Sequence, residues 1–343
     1  MNETFNAEDF AESDDQRAGD TKRSRRTLWL CLTAVLAPLL IAALAVGGYL
    51  WTLRDAYVKD VTFVDVTRTA SDGDAPAEGA GTNILLLGSD KRDPEAQAAE
   101  GVFGQRSDVM MLVHISADGQ YAYVSSFPRD LYVEIPGHGQ DRINAALAFG
   151  GVPLAVATVE NYVGTEIDHV ALVDFDGIEA IVDALGGIDV EIPETFEGDG
   201  VQFTEGIQHL NGAETLTFVR QRYQFAGGDF QRNANQRAVM KAIAQKIISG
   251  GTLLDPGKIV TLTGEISPHL TVDSALTPEK IVELGLASRD LRPSTIRYLS
   301  VPHGDPFMTS GGASVVGTDE EAMDAFREAI REDTMEDYVS STG

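Results

Sequence analysis

Only one cysteine, Cys31, occurs in the 343 residues. An intramolecular disulfide is therefore excluded, and no CxxC or Cys/His cluster suggests structural zinc. Histidine is scarce as well: the six present show neither HExxH spacing nor a companion motif for a catalytic triad, which leaves metal-hydrolase and serine-hydrolase readings without support. Positive charge is the third deficit. Lys and Arg number 26 against 53 Asp and Glu, for a formal net charge of -27 and a pI near 4.4. A duplex is held by neutralising its phosphates over an extended basic surface, so nucleic acid is not an expected partner. Any anion bound here must be held locally. No tandem repeat or long low-complexity tract occurs.

What is present is a hydrophobic content of 43%, enough for a sizeable core, and one long uncharged run, Leu28 to Trp51. At ~1.5 Å per residue that run can cross a ~30 Å hydrocarbon layer. The basic cluster Lys22 to Arg26 precedes it directly, so the positive-inside rule places residues 1–27 in the cytoplasm as a polar, disordered tail and exports everything after Trp51. "ALA" at 43–45 has the form of a signal-peptidase site, but signal h-regions run only ~7–15 residues. Residues 28–51 therefore read as a retained transmembrane helix at the cell membrane. Residues 52–82, with "TASDGDAPAEGAG", read as a flexible extracytoplasmic stalk.

From Asn83 onward, apolar runs rich in β-branched residues alternate with helical patterns. "NILLLG", "VMMLVHIS", "YAYVSSF", "LYVEI", "HVALVDF", "IDVEI", "TLTFVRQRY" and "TIRYLSVP" read as strands. "PLAVATVENYV", "GIEAIVDAL", "RNANQRAVMKAIAQKI" and "TPEKIVELGLA" read as helices. The expected fold is α/β, a mixed central sheet flanked by helices in an α-β-α sandwich over residues 83–305. Residues 306–343 are acidic, and "DEEAMDAFREAIRED" has the spacing of a solvated terminal helix.

Against this acidic background, residues 219–237 hold Arg220, Arg222, Arg232 and Arg237 with a single acid, Asp229. Read as a strand, "TLTFVRQRY" puts Leu216, Phe218, Arg220 and Arg222 on one face. Helical spacing then aligns Arg232, Asn235 and Gln236 with Val239, Met240, Ile243 and Ile247, with Asp229 as a candidate N-cap. Two elements thus direct cationic groups inward. An inward guanidinium needs a partner, and its planar fork suits phosphate or carboxylate oxygens. Acids elsewhere in the fold could serve instead.

Five ordered segments between residues 83 and 250 sharpen the choice: "NILLLGSDKRD", "RSDVMMLVHIS", "SSFPRDLYVEIPGHGQDRINAALAFGG", "DHVALVDFDGIEAIVDALGGIDVEIPE" and "LNGAETLTFVRQRYQFAGGDFQRNANQ". Together they resemble the LytR-CpsA-Psr family. The resemblance implies a transferase that moves a glycopolymer from polyprenyl pyrophosphate to peptidoglycan, forming a phosphodiester and releasing polyprenyl phosphate. It implies pyrophosphate binding by Arg92, Arg106, Arg129, Arg220, Arg222, Arg232 and Gln236, with Asp108, Arg106, Arg129, Arg220 and Arg222 as the catalytic set. Asp90 and Asp108 would hold one Mg²⁺, an ion that takes one or two carboxylates and keeps other positions for water and phosphate. Asp108 is also a candidate base if it is not fully committed to the metal. Many members carry arginine where this chain has Asn235, and Arg237 has no counterpart in the motif. Asp130 reads as structural, and Asn144 as either a site residue or a helix cap.

The lipid tail would need an apolar cavity, for which "VMMLV", "AVATVENYV" and the stripe Val239, Met240, Ile243 and Ile247 are candidate walls. Two other activities fit the same residues: hydrolysis, with water in place of the sugar hydroxyl, and a non-catalytic module that retains or regulates lipid precursors. The latter would need the arginines but neither Asp90 nor Asp108. The identity of the polymer leaves no trace in these residues.

Overall fold

The computed structural model describes residues 48, 51–52, 54–66, 80–89, 107–221, 229–249 and 256–342. The chain forms two units, Met1–Thr52 and Leu53–Gly343. Of the first, residues 48, 51 and 52 are described, all helical; nearly all of the expected transmembrane run therefore lies outside the described residues.

In the second unit, residues 54–60 form a short helix. The strands follow as β1 (Thr62–Val64), β2 (Thr82–Ser89), β3 (Ser107–Ile115), β4 (Ala122–Ser126), β5 (Tyr132–Ile135), β6 (Gly139–Arg142), β7 (His169–Asp174), β8 (Ile188–Ile192), β9 (Phe196–Gly198), β10 (Val201–Phe203), β11 (Gly206–Leu210), β12 (Leu270–Asp273), β13 (Ile296–Ser300), β14 (Pro306–Met308) and β15 (Ser314–Val316). Helices are α1 (Ala145–Val163), α2 (Phe175–Ala184), α3 (Gly212–Arg220), α4 (Asp229–Ser249), α5 (Pro256–Ile266), α6 (Pro278–Ala287), α7 (Glu320–Arg331) and α8 (Met335–Thr342).

Seven strands make a central mixed sheet in the order β1-β12-β7-β2-β3-β4-β13. β2 runs parallel to β7, and β4 parallel to β13, while β3 is antiparallel to both β2 and β4. The carboxyl ends of β2, β4, β7 and β13 therefore meet at one end of the sheet, with the start of β3 among them. Helices flank the sheet, as the alternation of strand and helix patterns implies.

The two faces of the sheet are covered unequally. On one, Leu85, Leu87, Met110, Leu112, Tyr123, Val170 and Leu172 pack with Ala155, Val156, Val159 and Val163 of α1 in the main core. Helix α1 is the one described helix long and apolar enough to cross a membrane, but it is a core helix. Alternation puts Ile84, Leu86, Val109, Val113 and Val124 on the other face. Each keeps partial exposure, and none joins a packed cluster among the described residues. A second core lies apart, where Ile188, Val190, Phe203, Leu210, Phe218, Val239 and Ile243 join β8 and β11 to α3 and α4.

Three expectations require correction. "TLTFVRQRY" is not a strand: Gly212–Arg220 is helical, opened by a capping box in which Asn211 Oδ1 accepts from Glu214 N while Glu214 accepts from Asn211 N. β-Branched and aromatic residues at alternate positions imitate a strand, but the cap and the buried set Thr215, Leu216, Phe218 and Val219 follow a helix. The folded unit also begins well before Asn83. Residues 54–66 are not a loose stalk: Tyr57 and Val61 are buried, the Tyr57 hydroxyl donates to Leu276 O at 2.8 Å, and β1 pairs with β12. Finally, α7 is not solvated all round, because Met323, Phe326, Ala329 and Ile330 enter the main core.

The segment after α7 is tied down by polar contacts. His114 is 1% exposed, and its ring nitrogens lie 2.9 Å from Asn83 Oδ1 and 2.9 Å from Asp333 Oδ1. Asp333 Oδ2 accepts from Ala117 N at 3.0 Å. Phe326→Ala is therefore expected to cost about 3–5 kcal/mol of unfolding free energy, measured by urea denaturation of the full chain. A change below about 0.5 kcal/mol, as for an ordinary surface site, would contradict the packing of α7.

Candidate active site

The carboxyl end of β2 sets the geometry. β2 pairs with β3 as Gly88↔Val109 and Ser89↔Ser107, with a register shift between them that makes Asp108 the extra residue of a bulge. A Cβ on Gly88 would fall 2.9 Å from Val109 Cβ, so glycine permits the close approach here. Asp90 follows Ser89 directly in sequence. The register therefore brings the Asp108 backbone opposite the end of β2; the Asp108 side chain and the whole of Asp90, the other expected metal carboxylate, lie outside the described residues. Among the described residues no cluster of three or more metal-ligating side chains occurs.

Beside this bulge, β4 ends at Ser126 and the chain turns through Phe127, Pro128, Arg129 and Asp130. Phe127 N donates to Met110 O at 2.9 Å, which fixes the turn to β3. Arg129 Nε lies 3.5 Å from Asp130 Oδ2, and Arg142 Nη1 lies 3.5 Å from Asp130 Oδ1. One carboxylate thus steadies two guanidinium groups, in keeping with a structural Asp130. Arg142, on β6, is a site neighbour that the motifs do not single out. Asn144 is buried and makes no side-chain cap bond to α1, so the capping role is not realised; its backbone N–H donates to Arg129 O at 3.3 Å.

The arginine stretch divides between two helices. Arg220 ends α3 and is exposed, where a cation suits the helix carboxyl terminus. It does not continue an inward apolar face, because that face belonged to the expected strand. Arg222 lies outside the described residues, as do Arg92 and Arg106. Arg232 falls on α4, with its side chain undescribed, and the helix starts at Asp229 itself, so Asp229 is not its N-cap. Gln236 is buried, and its Nε2 has no hydrogen-bond partner. Asn235 is buried too and lines a separate cleft of about 460 Å³ with Asp189, Glu191, Ile207 and Lys241.

Arg237 is the residue that sequence reasoning left without a role. Half-buried, it reaches the sheet, its Nη1 donating to Ser126 Oγ at a long 3.4 Å. Burial lowers its proton affinity, and no carboxylate among the described residues offsets the effect. Its placement could not be read from spacing, because it depends on where α4 meets β4.

Of the candidate cavity walls, "AVATVENYV" is core on the closed face of the sheet, and Val239 and Ile243 are core between α4 and β8. Val109 and Val113 of "VMMLV", together with Met240 and Ile247, remain partly exposed. Positions 237, 240 and 244 share one helical face, and Arg237 touches the sheet on the side that carries Val124. Met240 and Ala244 therefore share the side of α4 that Arg237 occupies, and both are partly exposed, as is Val124 on the sheet.

A mixed sheet flanked by helices, with a bulge at Asp108 and a turn carrying Arg129 at one end, defines the class of α/β protein to which the chain conforms. Residues 57–332 match the model of the LytR_cpsA_psr family, and the chain belongs to that family. The match extends beyond the motif core 83–250 at both ends, in keeping with the packing of Tyr57 and α7.

Among similar proteins, the polyisoprenyl-teichoic acid–peptidoglycan teichoic acid transferase TagU of Bacillus anthracis (strain CDC 684 / NRRL 3495) is 36% identical over 210 residues, which are 61% of this chain and 67% of that protein. The TagU of Enterococcus faecalis (strain ATCC 700802 / V583) is 31% identical over 265 residues, 77% of this chain and 84% of that one. The solved structure of TagT bound to LI-WTA matches with a TM-score of 0.61 and 25% identity, covering 80% of this chain and 99% of that one.

The cap on α3 generates a test of the local fold. Asn211→Ala should cost about 1 kcal/mol, read by thermal or urea unfolding, whereas Asn211→Asp should retain most of the stability. Equal stability of all three proteins would show that the capping box does not hold the helix that carries Arg220.

Proposed function

We propose that this protein is a membrane-anchored, extracytoplasmic phosphotransferase that moves a glycopolymer from polyprenyl pyrophosphate to peptidoglycan. The observation that carries the reading is the meeting, at one end of the sheet, of the Asp108 bulge, the Arg129 turn and Arg237 of α4, beside partly exposed apolar side chains of the strands. That arrangement suits a diphosphate headgroup with a lipid tail. Teichoic acid transferases are among the similar proteins, which favours an anionic wall polymer as the group transferred.

In the proposed reaction, a hydroxyl oxygen of the acceptor glycan attacks the phosphorus that bears the sugar. A new P–O bond forms while the bond from that phosphorus to the bridging oxygen breaks. Polyprenyl phosphate leaves with the electron pair, and the hydroxyl proton passes to a base, for which Asp108 is the candidate. Arg129, held in place by Asp130, neutralises diphosphate oxygens together with Arg92, Arg106, Arg220, Arg222, Arg232 and Gln236. In phosphoryl transfer, positioning and electrostatic stabilisation dominate. Asp90 and Asp108 suit Mg²⁺ by the chemistry of their carboxylates, and Asp108 sits at the bulge opposite the end of β2; the ion would supply charge neutralisation at the phosphates. In this reading the partly exposed Leu86, Val109, Val113 and Met240 receive the start of the prenyl chain. Residues 28–51 anchor the enzyme with its amino terminus in the cytoplasm.

The test mixes the full chain in detergent with a synthetic polyprenyl pyrophosphate oligosaccharide, Mg²⁺ and short peptidoglycan strands, followed by mass spectrometry. A sugar phosphate adduct on the glycan is expected, lost with EDTA and reduced about 10²–10³-fold in Arg129→Ala, the range seen for removing one preorganised donor. Free sugar phosphate without adduct would instead establish a hydrolase. Intact lipid would leave a binding module.

A further inference from the structure

The half-buried Arg237 needs a counter-charge, and no carboxylate among the described residues provides one. Its single described contact is the 3.4 Å bond to Ser126 Oγ, and that hydroxyl itself donates to Leu299 O at 3.2 Å. A chain with 53 acids and 26 bases could readily supply an ion pair, as Asp130 does for Arg129 and Arg142. Leaving a desolvated guanidinium without one is costly unless a ligand completes it. The preceding residue, Gln236, is 4% exposed, and its Nε2 also lacks a partner. Two adjacent residues of α4 are thus under-satisfied among the described residues: Gln236 Nε2 has no acceptor, and Arg237 has only the long bond to Ser126.

Position decides which anion. Ser126 closes β4 on the face that carries Val124, and Met240 and Ala244 continue the side of α4 that Arg237 occupies. Arg237 therefore stands between the polar end of the sheet and the partly exposed side chains of Val124, Met240 and Ala244. A group bound there would have its charge at the guanidinium and its hydrocarbon along Val124, Met240 and Ala244. We propose that Arg237 binds the lipid-side phosphate of the carrier, the one that departs as polyprenyl phosphate, and neutralises the charge that this leaving group gains. The assignment rests on the transferase reading above and adds a residue to it; Arg129 and its neighbours hold the remainder of the diphosphate.

The experiment measures binding of farnesyl phosphate, farnesyl diphosphate and farnesol to the full chain, and to Arg237→Met and Arg237→Lys, by calorimetry in detergent. Loss of one charge-assisted contact corresponds to about 10–100-fold in affinity. Arg237→Met should weaken farnesyl phosphate by that factor and leave farnesol unchanged, and Arg237→Lys should fall between. Should the methionine variant fail to fold, the lysine variant carries the test, with a loss of about threefold or more expected. Unchanged farnesyl phosphate affinity in a variant of an enzyme that still transfers would overturn the role of Arg237 alone. Equal weakening of farnesol would also overturn it, as the mark of a damaged apolar surface. Failure of the unsubstituted chain to bind either phosphate would bring down the transferase reading itself, and this inference with it.

Discussion

A sheet of seven strands has two faces to remove from water, and among the described residues one is packed more completely than the other, on which Met111 is buried but its neighbours are not. Against α1 the strands present Leu85, Leu87, Met110 and Leu112, all buried. At ~25 cal/mol per Å² of apolar surface, that layer contributes the larger share of what holds the sheet together. The opposite face, with Ile84, Leu86, Val109, Val113 and Val124, is left partly exposed. Everything proposed about function depends on this asymmetry, because a solid second layer would leave no room for a lipid beside the strand ends.

The polar end of the sheet is built on the same economy of contacts. A one-residue bulge brings Asp108 opposite the end of β2 without altering the rest of the pairing, and a glycine at position 88 allows the approach. Asp130 is shared between two arginines, so it can order the turn after β4 without cancelling its positive charge. His114 serves a different purpose at the far end of the sheet, where Asn83 and Asp333 lock the chain after α7 onto β2 and β3.

Much of this was legible before any coordinates. β-Branched runs placed β2, β3, β4, β7, β8 and β13, and the ordered motifs pointed to one anion site. The misreadings have physical causes. "TLTFV" has strand propensity, but a cap at Asn211 and burial on one helical side override it. Tyr57 and Val61 lie in too short a segment to show a period, and their burial against Val272 and Leu276 comes from residues more than 200 positions away in sequence. Met323, Phe326 and Ile330 did carry a helical stripe, yet the surrounding acids made it resemble a solvated helix. Arg237 was beyond spacing altogether, because its contact with Ser126 depends on where α4 meets β4.

The open face of the sheet also bears on turnover. In the proposed reaction a prenyl chain held on that face is unchanged, so its burial favours substrate and departing polyprenyl phosphate alike. Such uniform binding lowers the concentration of carrier needed for saturation and adds nothing to the chemical step. It also retains the product, so an enzyme built this way would tend to be limited by lipid exit. Its pace would then be set by how readily the surrounding membrane takes the spent carrier back.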